Sequence, residues 1–446
     1  MSTIIKLKQG LDINLVGEAQ KAVAKTVAAN EVSLKPSDFA CFKPHLEVRV
    51  GDKVKAGSVL FTDKNRPEIR FCSPVSGEVT EVRRAERRRI TDVVVKADGN
   101  NEYEKFDTSN LSSKDAVKNL LLQSGVWPYL RQRPFNIIAD PKQDAKAVYI
   151  STFDSAPLAA DYQYVLKDQL ADFQAGVDLL SKLAPVYVGF DNKISGNIFQ
   201  NVKNATLTGF EGPHPAGNAG VQISHVCPVN KGEMVIVVNP QDVVIVGRLA
   251  KSGIYDAKKT IALVGGKVKS PAYYSTVANA KIDGIISGNY ETEDARIIGG
   301  NVLTGTKLSA DGYLGFFENQ LTLLKEGTER EWFGWAKPFR PKVHSSSWCY
   351  FSWLTPGKKY DMDTNLHGGP RAFVQTKCFE DVTPMDIFPI YLIKACLAGN
   401  IEKMEQFGIY EVLPEDLALC DYVDPSKNEI QAIIQKGIDL MIKEMA

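Results

Sequence analysis

Between residues 46 and 97 apolar positions alternate with charged ones in short runs, as in Leu46-Glu47-Val48-Arg49-Val50 and Gly77-Glu78-Val79-Thr80-Glu81-Val82. A period of two sends successive side chains to opposite faces, so each run predicts a short strand with one face buried. Turn residues break the pattern at Gly51-Asp52, Gly57 and Ser76-Gly77, and Pro67 and Pro74 remove ladder donors. Residues 3–17 read as two more short strands around Gln9-Gly10 that complete this first module, and residues 79–95 as a hairpin. From Ser112 the period lengthens. Ser112-Ser113-Lys114-Asp115 offers hydroxyls to orphan amides, Ala116, Val117, Leu120 and Leu121 follow at helical spacing, and Gly125 supplies a stop. Residues 147–151 and 185–190 then read as strands around a helix over about 162–183, with further strands near Leu207 and over 235–238 and 243–246. Strand character returns over 259–308, flanking a shorter helical or turn segment. The last hundred residues read as helices over 387–397, 402–407 and 429–445, the last with Ile430, Ile433, Ile434 and Ile438 on one face.

A chain of 446 residues exceeds one core, and at roughly 100 to 200 residues per domain it predicts three or four domains. Hydrophobic residues make up 44% and charged ones 24%, ordinary globular usage, so neither disorder nor a fibre is expected. Lysine plus arginine and aspartate plus glutamate number 53 each, which leaves no global field for nucleic acid. The longest apolar run, residues 387–393, is broken by Pro389 and falls far short of the about 20 residues a spanning helix needs. Lys, Asp and Glu are scattered through the first residues, unlike a signal peptide. A soluble or peripheral, cytoplasmic protein is expected. Seven cysteines, at 41, 72, 227, 349, 378, 396 and 420, contain no C-x-x-C pair and predict reduced thiols.

Five stretches carry candidate chemistry. The pattern V-x-V-G-D-x-V-x-x-G-x-x-L followed by S-P-V-S-G-x-V resembles the barrel-sandwich hybrid of biotinyl and lipoyl carrier domains, where a modified lysine sits at the central hairpin. Lys64 falls close to that place, but Asn65-Arg66-Pro67 follows it where the carriers have a small apolar neighbour, so an unmodified turn lysine is expected. Arg83-Arg84 and Arg87-Arg88-Arg89 form a charged hairpin tip suited to anionic headgroups or an acidic partner, with a solvated tip the preferred reading. His214, His225 and Cys227 lie in one Gly- and Pro-rich loop, yet their spacing matches no zinc pattern, and a shaped loop over a cleft is expected instead. Residues 332–341 and 345–353 are rich in aromatics suited to a docking surface or to packing between domains. In Val126-Trp127-Pro128-Tyr129-Leu130-Arg131-Gln132-Arg133-Pro134-Phe135, rings interleave with cations.

Taken together, K-x-G-L-D near the start, the module above, SGVWPYLRQRPF, SAPLAAD, GPHPAGNAG, VLTGT, WFGWA and PEDLALCDYVDPSK occur in the order seen in the A subunit of the sodium-translocating NADH:quinone reductase, a bacterial respiratory complex, and the resemblance covers essentially the whole chain. That family is similar in turn to the flavin- and NADH-binding subunit of respiratory complex I and to the C subunit of the Rnf complex. The resemblance implies an α/β multidomain chain: a barrel-sandwich hybrid over 1–100, a Rossmann-like α/β domain over 101–255, a β-grasp domain over 256–325 and a C-terminal helical domain over 326–446. Two departures bear on cofactors. Where the relatives have a glycine-rich loop whose amides approach a phosphate, this chain has Gly125-Val126-Trp127-Pro128-Tyr129. Aligned on Asp424-Pro425, the four cysteine positions of a ferredoxin motif are Pro414, Leu417, Cys420 and Asp424, and one thiol cannot hold a cubane.

The expected protein is therefore a peripheral subunit on the cytoplasmic side of the bacterial inner membrane, bound to a membrane subunit, with no flavin, metal or iron–sulfur cluster of its own. The resemblance assigns NADH, flavins and iron–sulfur chemistry to other subunits of a complex that reduces quinone to quinol and pumps sodium out of the cell. A quinone ring wants aromatic stacking and one or two fixed donors, so a quinone contact is expected at Trp127, Tyr129, Arg131, Arg133 and Phe135, with packing against a neighbouring domain as the alternative. The competing readings of the whole chain are a stand-alone soluble flavin or dinucleotide oxidoreductase and a scaffold that binds no small molecule.

Overall fold

The structure is a computed structural model that describes residues 3–291, 293–328, 331–334, 337, 340–346, 349–374 and 377–445. Four sheets organise the described residues. Two small ones form the alternating N-terminal module: Glu31–Leu34, Ile90–Ala97, Gly77–Arg84 and Lys53–Val54 in one, Pro44–Leu46, Val59–Asp63 and Arg70–Cys72 in the other. The inward residues of both, among them Val32, Phe61, Phe71, Val79 and Val95, are fully buried in one core, so the alternation seals a sandwich as expected. Lys64 stands exposed in the turn after Val59–Asp63, where Asp63 pairs with Arg66 at 3.1 Å.

The third sheet has seven strands in the order Thr3–Lys6, Thr206–Glu211, Val186–Asp191, Ala147–Ser151, Val235–Val237, Arg131–Arg133 and Ile137–Ile138, parallel through the first five. Thr3–Lys6 therefore belongs here, at the edge against Thr206–Glu211, and does not complete the first module. An edge strand presents unpaired amides and carbonyls, and Thr206–Glu211 had no other neighbour to satisfy that side. Residues 12–16 form no strand; Leu15 makes only an isolated bridge to Tyr360.

Another reading changes at residues 243–246. These valines and Ile245 lie in the helix Pro240–Ser252, not in a strand, and Val243, Val244, Ile245 and Val246 are all buried. Asn239 caps that helix by accepting from the Gln241 amide at 3.1 Å, and Pro240 fits its first turn. Its packing explains the β-branched run. A methyl on Gly176 would lie 2.1 Å from the Val243 carbonyl oxygen, and one on Gly247 would lie 1.8 Å from the Asp172 carbonyl oxygen. The two glycines let this helix and Leu170–Leu180 touch backbone to backbone, and burial outweighs the weak helix preference of valine.

Elsewhere the periodicities hold. Ser113 caps Lys114–Gln123 at 3.2 Å, with Val117, Leu120 and Leu121 buried. The expected helix over 162–183 divides into Tyr162–Leu166 and Leu170–Leu180. The fourth sheet runs Thr306–Leu308, Ala295–Gly299, Gln320–Lys325, Lys258–Val264, Ala272–Val277 and Gln20–Thr26. Toward the C terminus lie Pro389–Ala398, Ile401–Gln406, Ala418–Val423 and Ile430–Met445, and Ile430, Ile434 and Ile438 of the last are fully buried. Among the described residues, no helix is long and apolar enough to cross a membrane.

Candidate functional site

The chain leaves Ala147–Ser151 toward one side of the parallel sheet, to Val186–Asp191, and later returns to its other side at Val235–Val237. Loops that diverge beyond the carboxyl ends of two adjacent parallel strands leave a crevice, the usual ligand position in such sheets. A cavity of about 130 Å³ lies there, lined by Ser151, Asp154, Tyr162, His214, Asn239 and Arg131 among others. It continues into a space of about 410 Å³ whose far walls are Gly299–Thr306 of the fourth sheet and Leu413–Glu415 of the C-terminal segment. Three separate parts of the fold thus close on one cleft.

Its floor is a network of amides around one phenol. Asn239 donates to the Tyr162 hydroxyl at 2.9 Å, Asn319 donates to it at 3.3 Å, and Gln241 donates to the Asn319 side-chain oxygen at 3.1 Å. Burial holds the Tyr162 phenol well above its usual range. Asp154 accepts from the Ala156 amide at 2.8 Å, but burial still pushes its carboxyl upward. Burial likewise raises Glu318 to about 7, offset in part by its bond from the Gly315 amide. In the Gly300–Gly305 turn, Asn301 accepts from the amides of Leu303 at 2.9 Å and Thr304 at 3.0 Å.

Arg131 is the sequence-predicted site residue that reaches this cleft. Its guanidinium lies 4.6 Å from the Phe317 ring centroid and donates to the Asn136 side-chain oxygen at 3.3 Å. The other four are enclosed. Trp127 is 1% exposed and its indole donates to the Ala139 carbonyl at 2.8 Å. Tyr129, fully buried, stacks on Phe316 at 4.3 Å and shares a 2.9 Å hydrogen bond with the Tyr255 hydroxyl. The ammonium of Lys259 lies 5.2 Å from the Tyr129 centroid and pairs with the equally buried Asp242 at 2.7 Å. Arg133, two positions from Arg131 on the same strand, pairs with Asp416 at 2.7 Å and Glu415 at 2.6 Å. Burial pushes the Asp416 carboxyl up while the Arg133 charge draws it down. Phe135 meets Tyr410 edge to face at 6.0 Å in the C-terminal core.

The loop of His214 lines the cleft, as expected of a shaped loop, without gathering its histidines and cysteine at one point, and the other candidate stretches lie elsewhere. His214 shares a 3.0 Å hydrogen bond with Ser155 and burial lowers its pKa to about 4, His225 faces the Val221 carbonyl at 2.8 Å, and Cys227 lies in a core with Tyr149, its thiol pushed up to about 11. Cys420 is fully buried against Thr383, its thiol pushed up to about 12, while Asp424 accepts from the amides of Ser426 and Asn428. The arginines of the hairpin tip are partly or fully exposed, with Arg83 paired to Glu81 at 2.8 Å. Of the late aromatics, Trp335, Phe339 and Trp348 lie outside the described residues.

Sequence reasoning missed Asp154, Tyr162, Asn239 and Asn301. The signal existed for two: Asn239-Pro240 follows an apolar strand as a helix cap, and Asp154 stands three residues beyond another, both at carboxyl ends where α/β sheets bind.

Family models cover three parts of the chain: "NqrA N-terminal barrel-sandwich hybrid domain" matches residues 5–98, "NqrA second alpha/beta domain" 112–255 and "NQRA C-terminal domain" 260–310. Among curated relatives, a protein of Neisseria meningitidis serogroup B, named as the A subunit of Na(+)-translocating NADH-quinone reductase, is 34% identical, over 99% of this chain and 100% of its own length. Proteins of the same name from Pseudomonas aeruginosa and Hahella chejuensis are 36% and 34% identical, the first over 98% of both chains and the second over 99% of this chain and all of its own. With likeness of this degree running from end to end, the chain belongs to the family of the A subunit of the Na(+)-translocating NADH-quinone reductase.

Proposed function

We propose that this chain works as a peripheral, cytoplasmic-face subunit that docks on the membrane subunits of a sodium-pumping NADH:quinone reductase, and that it takes part in the quinone-reduction step through Arg131. NADH oxidation and the flavin and iron–sulfur steps belong to other subunits, and this chain carries neither flavin nor cluster. In support, the rings of Trp127 and Tyr129 fill the place where a phosphate-binding loop would need open backbone. Only one of the four ferredoxin positions is a thiol, and it is buried. The strand order supports a Rossmann-like reading of the third sheet, the fourth fits a β-grasp, and the last helices form a C-terminal helical unit.

The observation that carries the quinone reading is the Arg131 guanidinium over the Phe317 ring in the cleft. A fixed cationic donor beside an aromatic face suits a flat headgroup with carbonyl acceptors. Trp127, Tyr129, Arg133 and Phe135 serve this reading by holding the strand that presents Arg131. Losing one charge-assisted hydrogen bond costs about 1.5 to 3 kcal/mol, or roughly ten- to a hundredfold in affinity. Arg131→Ala should weaken quinone binding by that factor in a fluorescence titration while the thermal midpoint stays near the parent's. Unchanged binding in Arg131→Ala would place the quinone site away from Arg131, and no quinone binding by the parent chain would move it to another subunit. Flavin absorbance or iron in the purified chain would overturn the cofactor-free reading, and failure to copurify with membrane subunits would overturn the docking.

A further inference from the structure

Four of the chain's five tryptophans, Trp332, Trp335, Trp348 and Trp353, fall in one stretch, and between residues 331 and 371 six Lys and Arg stand against three Asp and Glu in a chain with no net charge. The cleft absorbs none of this. Among the described residues, Trp332 is 83% exposed, Phe333 53%, Trp353 48% and Leu354 59%. Those exposures are far above what a soluble surface usually grants large aromatics, and they occur together.

Trp332 shares a face with lysines. Trp332 and Phe333 meet edge to face at 5.1 Å. Trp332, Lys337 and Lys342 line one surface depression, and Lys342 also lines the next, together with Lys358 and Lys359. Residues 353–359 are exposed throughout, so Trp353 and Leu354 sit at the start of a loop that ends in two lysines. The acidic groups on the same face are Glu331, which pairs with Lys337 at 2.7 Å and with Arg340, and Asp361 and Asp363. Lys359 reaches Glu18 at 3.1 Å.

We propose that this face is a second, direct membrane contact of the chain, one that rests in the headgroup zone of an anionic bilayer. Indole and phenyl rings settle at headgroup depth, where one side is apolar and the other wet. Flexible lysines beside them reach lipid phosphates. The composition argues for lipid over protein: interface cores between proteins are depleted of lysine, whereas five lysines line the depression at Trp332 and the one next to it. The inference rests on the peripheral reading given above, yet it concerns lipid and not a protein partner, so the two can fail separately.

The test uses the full purified chain and vesicles of phosphatidylcholine with or without phosphatidylglycerol, read by co-sedimentation and by tryptophan fluorescence. The parent should bind the anionic vesicles, bind the neutral ones far less, and release as salt rises. Each surface lysine contributes about fivefold to such partitioning, so Lys342→Ala should lower it by that factor, and Trp332→Ala by at least as much. Both positions are exposed, and an unchanged unfolding midpoint would show that the fold is kept. No retention on anionic vesicles at low salt overturns the proposal, as does retention equal to the parent in both variants. Variants that lose copurification with membrane subunits while binding vesicles normally would assign the face to a protein partner and overturn it as well.

Discussion

Trp127 to Phe135 and Trp332 to Leu354 are written in the same vocabulary, rings interleaved with cations, and they end in opposite environments. In the first, Trp127 and Tyr129 are shut into the core, and Arg133 is 3% exposed in a double ion pair. In the second, Trp332, Phe333, Trp353 and Leu354 stand in solvent, and the lysines lie on the surface. The difference is partners. The first run leads into Arg131–Arg133, which is paired on both sides by Val235–Val237 and Ile137–Ile138, and carboxylates arrive from residues 415 and 416, far along the chain. The second has six cations against three carboxylates over residues 331–371, and its described residues belong to none of the four sheets. Cations next to rings become interior only where carboxylates neutralise them, as Asp416 and Glu415 do for Arg133 and, within the second stretch, Glu331 does for Arg340.

The strongest way to break this comparison is to remove the neutralising partner. Arg133→Ala leaves the buried Asp416 carboxyl without its counter-ion, and truncating one member of such a pair costs about 3 to 5 kcal/mol. Trp127→Ala empties a ring-sized volume in the core at about the same cost. Urea unfolding should place both midpoints well below the parent's; a loss under about 1 kcal/mol would show that the first run is no more embedded than the second.

A smaller effect depends on pH and tests how closed the cleft beside the first run is. Glu318 keeps its proton in the folded chain up to about 7, because burial disfavours the carboxylate, against an ordinary value of 4.5. Between those values the folded chain binds more protons than the unfolded one, so this contribution to stability is full below about 4.5 and is lost as pH rises through about 7. Glu318→Gln should flatten that part of the stability profile. A parent and a variant with parallel urea midpoints from about pH 5 to about pH 8 would place Glu318 in a solvated setting.

The smallest expected effect is the sharpest contrast. Trp332→Ala should change stability by no more than about 0.5 kcal/mol, as surface substitutions do, although it deletes the same side chain as Trp127→Ala. A loss of several kcal/mol would mean that the exposed aromatic face packs against something in the isolated chain.

Much of the fold was legible because local rules agreed with the whole. Alternation marked the sandwich strands, the Ser113 cap and helical spacing marked Lys114–Gln123, and the isoleucines of Ile430–Met445 marked its buried face. The misreadings had nonlocal causes. Residues 243–246 have strand-forming side chains, and close packing on Leu170–Leu180 through two glycines buries them as a helix. Thr3–Lys6 has a strand pattern that fits several sheets, and pairing with residues about two hundred positions away chose one.

The chain's own residues determined which segments alternate, where helices start, that one thiol stands where a cluster needs four, and, through collinear motifs, the family. Those properties depend on near neighbours or on simple counting, so they survive without coordinates. Only the tertiary structure decided that Arg131 faces a cleft while Arg133, two residues on, is buried against Asp416, and that Asp154, Tyr162, Asn239 and Asn301 meet around it. Burial and charge neutralisation are sums over groups distant in the chain, and the sequence does not say which of those groups will meet.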